Sequence, residues 1–203
     1  MVATVHLIRH AVTAATGTRL GGRTDAPLSE KGRHQAEATR DHLAAVDYHA
    51  IYASPLPRTT ETAEIIAKPH RKKVRAAEGM IEVDYGRWTD RPLKPLFKNK
   101  LWPVIQQTPS LVTFPDGESI RAAQERAVTA IEQIATRHDK RTVAVVSHAD
   151  IIKAVVAFYV GMPLDTFQRL VISPASVTVL TTGRGARPTL HSFNHVPPVG
   201  GDA

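Results

Sequence analysis

Three short apolar runs, each leading into a segment of helical period, constrain this chain more than any other feature. They are Val5-His6-Leu7-Ile8 within residues 4–9, AIYAS at 50–54 and TVAVVS at 142–147. Runs of this length read as buried strands. The predicted helices are SEKGRHQAEATRDHLAAV (29–46, Ser29 as N-cap), PRTTETAEIIAK (57–68, Pro57 in the first turn), GESIRAAQERAVTAIEQIATRH (117–138) and ADIIKAVVAFYV (149–160). Strands alternating with helices predict an α/β fold, with a mainly parallel sheet covered on both faces. QRLVI (168–172) and SVTVLTT (176–182), joined by a turn at 173–175, and PTLHSF (188–193) read as further strands that give the sheet an antiparallel edge. Residues 84–116, with five prolines and both tryptophans, read as an irregular excursion over the sheet. One domain is expected over residues 1–195, with VPPVGGDA (196–203) as a loose tail.

Composition narrows the function. The chain has no cysteine, which excludes disulfides, thiolate metal sites and a cysteine nucleophile. No apolar stretch is long enough to span a membrane, and Arg9 and His10 interrupt the only run that resembles a signal peptide. A cytoplasmic protein without a membrane partner is expected. The net charge of +7 favours an anionic partner. The densest basic cluster, HRKKVR (70–75), has no interleaved aromatic residue and reads as a solvated turn. Nucleic acid is therefore not expected, and a small phosphorylated molecule is.

In open α/β sheets, ligands bind beyond the carboxyl ends of the strands. The first strand ends on Arg9-His10, the second leads to Arg58 at the start of a helix, and the third ends on His148 before another helix. An arginine at a helix N-terminus is disfavoured by the helix dipole unless an anion sits beside it. Guanidinium forks and free helix N–H groups both suit phosphate oxygens. A neutral imidazole among them could attack phosphorus and carry the phosphoryl group covalently.

These residues resemble those of the histidine phosphatase superfamily, the phosphoglycerate-mutase-like proteins. LIRHAVT is similar to the family's Arg-His-Gly motif. GRTDAPLSEKG (22–32), ASPLPRTTETAEII (53–66), EVDYGRW (82–88), FPDGESIRAAQER (114–126) and VSHADIIKAV (147–156) follow in the family's order. The resemblance implies a three-layer α/β/α sandwich. It implies that His10 is the nucleophile, that Arg9, Arg58 and His148 form the phosphate pocket, and that Glu82 protonates the leaving group. It places Thr16, Gly22, Arg23 and Ala149 around the substrate and requires neither metal nor cofactor. The chain departs from the family at Ala11, for a usual glycine, and at Thr16, for a frequent asparagine. It departs again at Ala149-Asp150, for a glycine-containing pair, and at Trp88-Thr89-Asp90, for Trp-Glu-Gly.

The same pocket supports a phosphatase or a phosphomutase, and the fold alone would also allow a non-catalytic phospho-ligand binder. Mutases of the family carry extra segments over the site, so a compact chain favours hydrolysis. A nucleophile and an acid beside the clamp favour catalysis over mere binding. Lys94, Lys98 and Lys100 in RPLKPLFKNKLW (91–102) are expected either to face solvent or to hold a second anionic group of the substrate. The run at 188–193 offers an edge through which a homodimer could pair.

Overall fold

The computed structural model describes residues 2–199. Its strands are β1 (Ala3–Arg9), β2 (Arg19–Leu20), β3 (Tyr48–Ala53), β4 (Val74–Ala76), β5 (Arg91–Pro92), β6 (Thr142–Ser147), β7 (Val177–Thr182) and β8 (Thr189–His195). Its α-helices are α1 (Glu30–Leu43), α2 (Pro57–Ala67), α3 (Leu93–Leu96), α4 (Leu101–Gln107), α5 (Ile120–Arg137) and α6 (Ala149–Tyr159). Six strands form one sheet in the order β4-β3-β6-β1-β7-β8. β4, β3, β6 and β1 run parallel, β7 runs antiparallel to β1, and β8 runs antiparallel to β7.

Side chains two apart on a strand share a face of the sheet. Val5 and Leu7 of β1 join Val143 and Val145 of β6 against Ile131 of α5 and Val155 of α6. Ile8, Ala144 and Val146 point the other way, against Leu43 of α1 and Ala63 and Ile66 of α2. The result is the expected three-layer sandwich with a mainly parallel sheet and an antiparallel edge. β6 lies at its centre, which is why TVAVVS is apolar on both faces.

The expected helices form with ends trimmed by at most three residues, and Ser29 caps α1 by accepting from Gly32 N at 3.1 Å. A Cβ at Gly32 would overlap the carbonyl oxygen of Val12, which already accepts from Ser29 N at 3.1 Å. The chain just beyond His10 is thus seated on the start of α1. Gly32→Ala should cost about 1–3 kcal/mol through overpacking against backbone, seen as a fall of several degrees in Tm by calorimetry. An unchanged Tm would contradict this packing.

Two expectations about strands need correction. QRLVI is not a strand: Leu164–Arg169 is a 3₁₀ helix and residues 170–173 join no ladder. Both edges of β1 are already occupied, by β6 and β7. Ile172 is buried as core cover, while Val171 faces solvent. The antiparallel edge is built instead from β7 and β8, joined through residues 183–188. HRKKVR is not wholly a turn, because Val74–Ala76 pairs in parallel with β3 as an edge strand. Its charges suit an edge that must not recruit another strand. The excursion at 84–116 is less irregular than expected, since it contains α3, α4 and the small β2–β5 ladder. β8 ends at His195, and of the expected tail only residues 196–199 lie within the described part, without regular structure. Among the described residues, no helix is long and apolar enough to cross a membrane.

Candidate active site

Three parallel strands deliver the site. Arg9 ends β1 and His10 follows it, and the His10 N–H donates to Ser147 O at 2.9 Å at the end of β6. Ser54 follows β3, and its N–H donates to Val146 O at 2.9 Å. Arg58 lies in the first turn of α2, whose N-terminus has no side-chain cap, and His148 is the equally uncapped N-cap of α6. The strand ladder therefore brings two imidazoles and two guanidiniums to one place. A cavity of about 210 Å³ opens there, lined by Arg9, His10, Arg58 and Glu82 together with Thr13, Thr16, Tyr85, Ala149 and Asp150.

Hydrogen bonds assign the imidazole roles. His10 Nδ1 lies 2.7 Å from Ala11 O, and a carbonyl can only accept, so Nδ1 carries the proton. Nε2 is then the atom with a free lone pair. Burial, followed by the charges of Arg58 and Arg9, pushes the His10 pKa down to about 3, so the ring is neutral at ordinary pH. His148 is fully buried, with its ring centroid 5.2 Å from that of His10. Its Nδ1 accepts from Arg58 Nη2 at 3.2 Å, which leaves Nε2 to donate to Ser54 Oγ at 2.8 Å. Burial and the neighbouring His10, Arg58 and Arg9 hold it well below the usual imidazole value.

The guanidiniums are fixed by backbone. Arg9 Nη1 donates to Ile172 O at 2.6 Å, and its Nε is buried with no partner. Arg58 donates to Thr24 O at 2.9 Å and Gly22 O at 2.6 Å. Burial lowers the pKa of both arginines. Two desolvated cations, one with an orphaned donor, make a site that an anion would stabilise.

Glu82 is 8% exposed, and its Oε2 lies 3.9 Å from His148 Nδ1. Burial first, then repulsion from Asp150, raises its pKa to about 7, against opposing effects of Arg58, the Val83 N–H and Arg9. The segment carrying it is braced. Arg126 of α5 donates to Gly79 O (2.8 Å), Ile81 O (2.7 Å) and Glu82 O (3.1 Å), and is held in turn by Glu118 at 2.6 and 3.0 Å. Burial disfavours the Glu118 charge, but Arg126 and the Asp84 N–H outweigh it and keep the carboxyl below its ordinary value.

The structure thus gathers Arg9, His10, Thr16, Arg58, Glu82 and Ala149 around the cavity, with His148 directly behind. Gly22 and Arg23 do not line it. Gly22, at φ +54°, turns its carbonyl to Arg58. Arg23 reaches away, to Glu82 O (3.1 Å), Asp84 (3.3 Å) and Glu118 (3.1 Å), and belongs to the brace. Lys94, Lys98 and Lys100 do not line the cavity either; from that segment only Leu93 does. Arg126 and Glu118 escaped the sequence reading. They lie eight residues apart in FPDGESIRAAQER, a spacing with no chemical signature of its own.

Two departures from the family pattern find physical accounts. Ala11 is absent from the positive-φ residues, so alanine fits there without strain. Asp90 adopts φ +58°, a conformation that aspartate tolerates better than most residues, and Arg19 pins it with bonds of 2.7 and 3.1 Å. Asp150 accepts from Tyr85 OH at 2.9 Å and Lys153 Nζ at 3.2 Å.

Comparison with known proteins agrees with this geometry. The histidine phosphatase superfamily (branch 1) matches residues 5–196. Phosphoserine phosphatase 1 of Hydrogenobacter thermophilus is 31% identical over 86% of this chain and 84% of its own length. The 2,3-bisphosphoglycerate-dependent phosphoglycerate mutase of Thermoplasma acidophilum is 31% identical over 82% of this chain and 80% of its own. The solved structure of Bacillus stearothermophilus YhfR superposes with a TM-score of 0.89 at 29% identity, covering 96% of this chain and 98% of that one. With the strand-end histidines and arginines in the family's order and the family's match running nearly from end to end, the chain belongs to the histidine phosphatase superfamily.

Proposed function

We propose that residues 1–195 form one catalytic domain, a metal-independent phosphomonoester hydrolase that acts through a phosphohistidine on a small phosphorylated metabolite. One observation carries the reading: a neutral His10, its Nδ1 proton committed to Ala11 O, presents Nε2 to a cavity flanked by Arg9 and Arg58. Nε2 attacks phosphorus, the bond from phosphorus to the ester oxygen breaks, and protonated Glu82 gives its proton to that oxygen. Glu82, now a carboxylate, takes a proton from water, whose oxygen displaces His10 from phosphorus and releases inorganic phosphate. Arg9 and Arg58 hold the equatorial oxygens as charge shifts. His148 stays neutral behind the pocket, where its Nδ1 accepts from Arg58 and so helps to fix that guanidinium beside the phosphate. Thr16 Oγ1, 2.9 Å from Thr13 N, and the chain at Ala149 complete the wall around the phosphate.

A pocket with these parts also serves a mutase, and a mutase is among the 31% identical relatives. Phosphate release from a panel of phosphomonoesters in EDTA, with phosphoglycerates followed by ³¹P NMR, separates the readings. Hydrolysis in EDTA is the expected result. Exchange of phosphoryl positions without release would make the chain a mutase, and loss of activity in EDTA would end the metal-free reading. The homodimer rests on the open edge of β8 alone, and sedimentation would test it.

The acid role of Glu82 has a pH signature. The group must be protonated for the first step, so kcat/KM falls as pH rises through its pKa of about 7. Asp150→Asn removes the repulsion that helps raise that value, so the alkaline fall should move to lower pH. Ionisation of the substrate is common to both enzymes and cancels from the difference. An alkaline limb that stays in place would show that Asp150 does not tune Glu82.

A further inference from the structure

The reaction cavity adjoins a second hollow. Leu20, Tyr85 and Asp150 line the first, and the same three residues line the second, a cavity of about 160 Å³. Beyond this shared boundary the walls are Trp88, Trp102, Ile105 and Phe114, with Gln106 and Gln168. The aromatic wall is set by edge-to-face packing, with Phe114 4.9 Å from Tyr85 and 5.8 Å from Trp88 between ring centroids. Tyr85, Trp88, Ile105 and Phe114 are buried, Trp102 and Gln168 are half-buried and Gln106 is exposed, so the annex has a buried aromatic back and a mouth on the side of Gln106. An apolar cavity of about 150 Å³ is large enough to take up benzene.

The shared boundary presents no cation to either cavity from residues 91–100. Arg19 lines the reaction cavity but is forked onto Asp90, and Lys94, Lys98 and Lys100 line neither cavity. The charged group presented there is Asp150. Its two oxygens each take one bond, from Tyr85 OH and Lys153 Nζ, and a carboxylate has room for about four. A leaving group seated in the annex therefore meets aromatic walls, the Asp150 carboxylate and the amides of Gln106 and Gln168. A second anionic group would face the Asp150 carboxylate.

We propose that this annex is the leaving-group subsite and that it selects phosphomonoesters of an aromatic or compact apolar ring bearing a hydroxyl or amino donor. The assignment rests on the phosphatase reading above and supplies its substrate class. It replaces the expectation that basic residues at 91–100 hold a second anion.

Trp88 and Trp102 are the chain's two tryptophans, and both line the annex, so tryptophan emission reports its occupancy. The probes are benzylphosphonate, which carries a ring, and methylphosphonate, which does not. Benzylphosphonate should bind about tenfold tighter or more, the gain expected from burying one ring, and should change the emission. Methylphosphonate should compete for the phosphate site and leave the emission unchanged. Trp102→Leu should shrink the affinity ratio, with circular dichroism as the check on folding. If that variant does not fold, the wild-type ratio and emission still decide. Equal affinities, or tight binding of benzylphosphonate with unchanged emission, would overturn the subsite. A parallel assay with phenyl and methyl phosphates keeps the two readings apart. Hydrolysis of both at equal kcat/KM removes the subsite and leaves the phosphatase. No hydrolysis, with benzylphosphonate still seated in the annex, removes the phosphatase and leaves a ring-selective phosphate site.

Discussion

His10→Ala should reduce phosphate release by at least about 10⁴-fold, the scale seen when a covalent nucleophile is removed. The far-ultraviolet circular dichroism should stay that of the folded protein, because β1 is held on both sides by β6 and β7 and not by this side chain. The size of the effect follows from the lack of a substitute. The chain has no cysteine, and the hydroxyls of Thr13 and Thr16 bond to one another at 3.1 Å without a base beside them. His148 cannot take over, because its Nδ1 faces Arg58 and its Nε2 faces Ser54. Activity within tenfold of wild type would mean that water attacks phosphorus directly.

The second large effect depends on the substrate. Glu82→Gln keeps the shape of the side chain and removes the proton that the leaving oxygen needs. On an alkyl phosphate the loss should reach about 10²–10⁴ in kcat/KM, which reports transfer to His10 and not the later water step; this is the usual worth of a positioned general acid. On p-nitrophenyl phosphate the loss should be far smaller, because nitrophenolate is stable enough to depart without a proton. Equal losses on both substrates would show that Glu82 acts on binding or on the fold and not as the acid.

The parts of the site that could be read from the sequence are those tied to the ends of strands. Apolar runs stop at Arg9-His10, near Arg58 and at His148, and parallel pairing of β1, β3 and β6 makes those ends coincide in space. Glu82 lies outside any such run and entered only through the resemblance. Arg126 and Glu118 stayed hidden because the brace grips main-chain carbonyls 44 to 47 residues away, and carbonyls leave no trace in residue identity. Arg23 was placed by its motif near the phosphate, yet Glu82 O, Asp84 and Glu118 hold its guanidinium in the brace.

The fold shows the same division. Burial was legible and pairing was not. The apolar run Leu170-Val171-Ile172 does supply a buried residue, Ile172, but whether such a segment joins a ladder depends on which strand edges are free. Conversely, charge at residues 70–75 concealed β4, since an edge strand with one neighbour need not be apolar.

The central claim is a covalent bond between phosphorus and His10 Nε2, and the most direct measurement is to trap it. Glu82→Gln enzyme, slowed in losing the phosphoryl group to water, is mixed with p-nitrophenyl phosphate. The reaction is quenched in alkali, where phosphohistidine survives, and peptides are examined by mass spectrometry. The account predicts one acid-labile phosphoryl group on the peptide containing His10, formed at the rate of the nitrophenolate burst and absent from His10→Ala. A burst without a phosphorylated peptide, or a phosphoryl group on any other residue, would contradict it.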